Sequence, residues 1–324
     1  MAAWTDDLLG APYEHHVIDL GTDPDGEGHI TATLVRRRWT RSTPPKAAVL
    51  YVHGFTDYFF QKEMAEFYVK RGIAFYALDL RKCGRSLGDG HTAHYVSTLD
   101  HYAVELEQAL AIVREETDAP VLLSAHSTGG LIVPLWLDRL NRTPGGTRGA
   151  GIVGLILNSP WFDMQGPALL RTVGTPLIRA VSLVLPKERI RMPPAEAYGK
   201  SLVSSGEWDY DVALKPIAGF PVTFGWLSAI RRGHRRLQRG LDIGVPSLVL
   251  RSTKSRIVLK YGPEVDTADA VLDVKQIARW AGCLGDAVTS VPIEGARHDV
   301  FLSLPEPRKA AYAEVDRWVK GVLS

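Results

Sequence analysis

The chain has 324 residues, of which 45 % are hydrophobic and 23 % charged, with a formal net charge of +2. That usage fits a globular protein with a large core, and so small a net charge excludes a global field that would draw nucleic acid or an anionic surface. Two cysteines, Cys83 and Cys283, are too few for a disulfide framework and are expected as free thiols. The first ten residues, MAAWTDDLLG, place two aspartates where a secretory leader needs basic residues and then an apolar run. No stretch nears the ~20 apolar residues of a membrane span. The expectation is a soluble, cytoplasmic protein.

In chain order, YEHHVIDL and HITATLVRRR flank the turn-forming GTDPDGEG and predict paired strands. Short continuous apolar runs follow: KAAVLYVHG, GIAFYALDL, PVLLSAHS, GIVGLILNS, PSLVLRS and VTSVPIEG. Runs of this kind suit strands buried on both faces of a parallel sheet. Helical patterns lie between them, over 64–71, in TGGLIVPLWLDRL and in PRKAAYAEVDRWVKGVL. The clearest is LDHYAVELEQALAIVREE, with Tyr102, Leu106, Ala109, Leu110 and Val113 on one face. The alternation predicts a doubly wound α/β fold, a mostly parallel twisted sheet with helices on both faces. Residues 163–240 break the rhythm, with the apolar helical ALLRTVGTPLIRAVSLVL, a Pro-rich RMPPAEAYG and the basic WLSAIRRGHRRLQRG. This segment is expected as a helical cap inserted between two parts of the core, 1–162 and 241–324.

Ligands of such sheets bind at the carboxyl ends of the strands, and the chemically capable residues fall there. In VLLSAHSTGG, Ser127 follows a strand and opens a helix, where a sharp turn would lift its hydroxyl above the sheet. The elbow reads G-x-S-x-G with Ala125 in place of the first glycine; an ordinary helix-capping serine is the alternative. His53-Gly54-Phe55 ends an earlier strand, so the backbone N–H groups of Phe55 and Thr128 are expected to form an oxyanion hole. His298, in EGARHDVF after the last strand, is the expected general base. The acid that should orient it is ambiguous. Asp266, Asp269 and Asp273 compete after the strand PSLVLRS, and Asp163 follows the strand before.

At this point the chain resembles the monoglyceride lipase and lysophospholipase branch of the α/β-hydrolase superfamily, whose relatives include serine aminopeptidase-like hydrolases. The resemblance covers most of residues 45–320 and is carried by YVHGFTDYFF, ALDLRKCGRSLGDG, LLSAHSTGG, LILNSPWFD and EGARHDVF. It implies a Ser127–His298–Asp269 triad, since the family's A-D-x-x-x-D phrase is matched by ADAVLD. It also implies cofactor-free hydrolysis of an ester, less often an amide, through an acyl-enzyme. Two departures from the pattern are Ala125 and the stretch inserted before Asp269.

Tyr58 in DYFF, with Trp161 and Phe162, is expected to line an apolar acyl pocket, with plain core packing as the alternative. The five arginines of IRRGHRRLQR read as a solvated helix face, or less simply as contacts to acidic lipid or an anionic substrate. HTAH is too sparse for a metal site, and no dinucleotide or Walker glycine pattern occurs, so neither cofactor nor metal is expected. Cys83 lacks a catalytic partner pattern and reads as inert. The expected partner is a small apolar ester or lactone, with no nucleic acid; an exposed apolar cap face would suit a membrane or a second copy of the chain. Two rivals remain. An aminopeptidase or amidase would need carboxylates such as Glu188, Glu196, Glu207, Asp209 or Asp211 aimed at the site, and a binding protein of the same fold would use the pocket without turnover.

Overall fold

The computed structural model describes residues 2–165, 176 and 178–324. Among the described residues nine strands form one sheet in the order β1-β2-β3-β5-β4-β6-β7-β8-β9. The apolar runs become β4 (Ala47–Val52), β5 (Ile73–Asp79), β6 (Val121–His126), β7 (Ile152–Asn158), β8 (Ser247–Ser252) and β9 (Val288–Ile293), all paired in parallel. The N-terminal strands β2 (Tyr13–Thr22) and β3 (His29–Arg37) form the expected antiparallel pair. They do not stand apart: β3 joins β5 antiparallel, and the two-residue β1 (Thr5–Asp6) closes that edge.

Residue alternation in the strands divides the core into two layers. Leu50, Val52, Leu78 and Leu123 face α2 (Ala103–Thr117) and α3 (Gly129–Asn141), while Val49, Tyr51, Phe75 and Leu122 face α1 (Lys62–Lys70) and the C-terminal helix Pro305–Leu323. The five residues read as one face of α2 are all buried. Helices therefore cover both faces, as the sequence pattern predicts. β9 departs from it. It is an edge strand, with Thr289, Ser290 and Pro292 exposed, so burial on both faces does not extend to it.

Between β7 and β8 the described residues add no strand to the sheet. They include the helices Ala197–Leu202 and Phe224–Leu237, a helical stretch over 178–184, and one bridge between Arg189 and Thr223. Residues 168–175 and 177 of the expected helical stretch ALLRTVGTPLIRAVSLVL lie outside the described residues. Among the described residues no helix is long and apolar enough to cross a membrane.

Buried ion pairs tie the loops at the carboxyl end of the sheet. Arg81 forks onto Glu105 of α2, with Nε 2.8 Å from Oε1. Lys82, wholly buried, meets Asp23 at 2.6 Å and Glu27 at 2.9 Å, which anchors the β2–β3 turn to the loop after β5. Removing one partner of such a pair leaves an uncompensated charge and typically costs about 3–5 kcal/mol.

Candidate active site

Ser127 sits between β6 and α3 with φ +51°, a left-handed backbone that a non-glycine residue seldom adopts. Tight packing holds the turn. Ser127 N–H donates to Asn158 O at 3.0 Å, and Trp161 N–H donates to Ser127 O at 2.9 Å, so the β7 end grips both sides of the serine. A Cβ on Gly129 would lie 2.4 Å from His53 O, and one on Gly130 would lie 2.6 Å from Pro160 Cβ. The glycines after the serine are therefore required by close approach. Ala125 faces a different demand: its methyl is fully buried within one core layer, where it packs rather than clashes.

The structure brings Ser127, His298 and Asp269 together. His298 Nε2 is 3.1 Å from Ser127 Oγ, and Nδ1 is 3.0 Å from Asp269 Oδ2. A carboxylate only accepts, so Nδ1 carries the proton and the Nε2 lone pair faces the serine hydroxyl. Asp269 is fully buried, and its Oδ1 accepts the N–H groups of Val271 and Leu272 at 2.8 and 2.7 Å. The inserted stretch before Asp269 loops out and returns, because Asp269 forms a bridge with Ser255, three residues past β8. That return places the carboxylate at the strand end, where the sequence shows no aspartate.

The competing aspartates are engaged elsewhere. Asp266 pairs with the buried Arg297 at 2.7 Å and accepts from Tyr261 at 2.8 Å. Asp273 caps the helix Val274–Trp280 through Lys275 N–H. Asp163 pairs with Arg231 at 3.0 Å.

His53, Gly54 and Phe55 pass beside the serine, close enough that a Cβ on Gly54 would lie 2.9 Å from Ser127 Cβ. Among the described residues no hydrogen bond takes the backbone N–H of Phe55 or Thr128. Trp161 is partly buried, 5.8 Å from the Trp226 ring, which in turn lies 4.3 Å from Phe55. Tyr58 and Phe162 are buried in the manner of core residues: Tyr58 packs with Phe60, Leu202, Tyr210 and Leu302 and accepts Asp211 N–H at 2.8 Å.

A scan against known families matches residues 43–302 to the family described as serine aminopeptidase, S33. The chain belongs to this family. Human monoglyceride lipase is similar, with 25 % identity over 295 residues, spanning 88 % of this chain and 86 % of the relative; the rat enzyme is 23 % identical over 290 residues with the same spans. Among solved structures, a soluble variant of Saccharomyces cerevisiae monoglyceride lipase superposes with a TM-score of 0.67 at 14 % identity, over 94 % of this chain and 95 % of that one. A thermostable carboxyl esterase from Bacillus coagulans gives 0.60 at 15 %, over 96 % and 99 %. These structures establish the α/β-hydrolase fold.

Around the S33-family elbow lie groups that the sequence reading passed over. Asp299, next to His298, accepts from Gln61 at 2.8 Å and from Asn158 at 2.6 Å, so the loop bearing His298 is tied to β7 and to the start of α1. The only sequence signal was its adjacency to the histidine. His126 is buried 4.8 Å from the His298 ring, and burial lowers its pKa, which keeps a second cation away from His298. Asp57 and Lys215 form a buried pair at 2.5 Å. Burial pushes the Asp57 carboxyl up, but Lys215, His126 and His53 together outweigh this and hold it below the ordinary range. Nothing in the sequence joins positions so far apart. The basic helix Phe224–Leu237 is no simple solvated face either: Arg231 is largely buried against Asp163, and the fully buried His234 bonds Trp161 O at 3.0 Å.

Proposed function

We propose that the chain is a serine hydrolase of carboxylic esters that works through Ser127, His298 and Asp269. The observation that carries this reading is the line Ser127 Oγ–His298–Asp269, at 3.1 and 3.0 Å, beside two unused N–H groups. Ser127 Oγ attacks the ester carbonyl while His298 Nε2 takes its proton. Asp269 holds Nδ1–H and stabilises the imidazolium. The N–H groups of Phe55 and Thr128 receive the oxyanion, and the positive end of α3 adds to their effect. His298 then returns the proton to the leaving alkoxide, and a water repeats the sequence on the acyl-enzyme.

The described residues of 163–240 serve as a cap over this site. Lys215 on Asp57, Phe220 N–H on Thr56 Oγ1 at 2.9 Å, and Trp226 on Phe55 tie the segment to the loop after β4. Phe55, Trp161 and Trp226 form an aromatic cluster beside the serine loop, a surface that favours an apolar acyl chain. The relatives named monoglyceride lipase point the same way and make a monoacylglycerol the first substrate to try. Peptide cleavage fits less well. Of the carboxylates that could hold an amino terminus, Glu188, Glu207, Asp209 and Asp211 are exposed, and Glu196 pairs with Lys200. The test is a panel of monoacylglycerols, short p-nitrophenyl esters, lactones and aminoacyl p-nitroanilides. We expect kcat/KM for the best ester to exceed that for any anilide by at least about 100-fold; a preferred anilide would overturn the ester reading.

A further inference from the structure

Behind the oxyanion loop lies a buried group that the reaction does not use. His94 is 3 % exposed and has φ +63°, so its placement is held by its surroundings. Its Nε2 is 3.0 Å from Thr56 N, and an N–H can only donate; Nε2 therefore offers its lone pair and Nδ1 bears the proton. Nδ1–H points at Cys83 Sγ, 3.1 Å away, while the thiol donates to Arg81 O at 3.2 Å. Burial lowers the His94 pKa to about 3, so the ring is neutral at any working pH, and burial raises that of Cys83, so the thiol stays protonated. The His94 ring also lies 4.6 Å from the Phe55 ring. Thr56 itself has φ +51°. Phe55 and Thr128 on one side and Cys83 and His94 on the other line a cavity of about 10 Å³, room for roughly one water.

We propose that His94 is a positioning residue for the oxyanion hole: by accepting the Thr56 N–H and packing on Phe55 it fixes the Phe55 peptide so that its N–H faces Ser127, with Cys83 setting the histidine tautomer. This rests on the hydrolase reading above. The next peptide after Phe55 has a backbone that rarely persists alone, and the hydrogen bond to His94 holds it. A donor that must be in place before the transition state contributes only if it is preorganised. Cys83, which the sequence read as inert, acquires a supporting part.

His94→Phe keeps a ring against Phe55 and removes both nitrogens. The expected result is a fall in kcat of about 10- to 100-fold with KM within about threefold, since a displaced donor loses part of the 10²–10³-fold that a deleted one does. Affinity for a trifluoromethyl ketone, whose hemiketal oxyanion occupies the hole, should fall in parallel. His94→Gln places a carbonyl oxygen near the Nε2 position and should recover kcat to within about fivefold of wild type, whereas the shorter His94→Asn should not. If His94→Phe fails to fold, the Gln and Asn pair decides, and equal kcat in the two overturns the proposal. Wild-type kcat and ketone affinity in His94→Phe, with Ser127→Ala inactive, would sink the role of His94 alone. Activity in Ser127→Ala would instead remove the hydrolase reading on which it rests.

Discussion

Ser127→Ala should lower kcat for a p-nitrophenyl ester by about 10⁵- to 10⁶-fold while leaving the melting temperature close to that of the wild type. Among the described residues the serine hydroxyl makes one hydrogen bond, to His298 Nε2, and no other hydrogen bond there depends on it. The bonds that hold the elbow run through the backbone N–H and carbonyl of residue 127, which alanine keeps. Alanine also has the same Cβ at φ +51°, so the backbone strain is unchanged. Activity and stability should therefore separate. The measurements are steady-state turnover and a thermal melt on the same preparation. A variant that keeps more than about one part in a thousand of the activity would show that another group attacks.

Asp269→Asn should cost about 10⁴-fold in kcat, again with a folded protein. The reason is a matter of atoms. Oδ1 of Asp269 accepts two backbone N–H groups, from Val271 and Leu272, so an asparagine would turn its carbonyl oxygen to them. Its amide nitrogen would then face His298 Nδ1 and donate to it. The proton would be forced onto Nε2, and the ring could no longer accept from Ser127. Asp273→Asn is the control. Asparagine caps a helix about as well as aspartate, so activity and stability should stay near wild type. Asp266→Asn should destabilise the fold by weakening the pair with buried Arg297, without a matching change in kcat once the fraction folded is taken into account. A 10⁴-fold loss at Asp266 or Asp273 and none at Asp269 would reassign the acid.

The sheet was legible because its central strands are buried on both sides and leave continuous apolar runs such as LYV and LLSA. The same rule misread β9, whose edge position exposes Thr289 and Ser290. It gave no hint that β3 pairs with β5, since an antiparallel join between distant strands leaves no local mark. Ser127, Phe55 and His298 could be placed from sequence because each lies in the loop that follows a strand, and strand ends carry the chemistry of this architecture. Strand ends alone left Asp269 among four aspartates, because the chain makes an excursion after β8 and returns through the Ser255 bridge; only the family phrase matched by ADAVLD pointed to it. Long-range partners were the least visible. Lys215 meets Asp57, Asn158 meets Asp299, and Cys83 meets His94 only in three dimensions. Each of these residue types, alone in sequence, reads as ordinary surface or core.

Ser127 should behave as an activated nucleophile. The most direct test is labelling with a fluorophosphonate followed by peptide mapping: Ser127 Oγ attacks phosphorus, fluoride leaves, and the serine proton passes to His298. The expected result is close to one label per chain, on the peptide bearing Ser127, with labelling slowed by orders of magnitude in Asp269→Asn and abolished in Ser127→Ala. An active preparation that takes up no label, or takes it up at another residue, would contradict it.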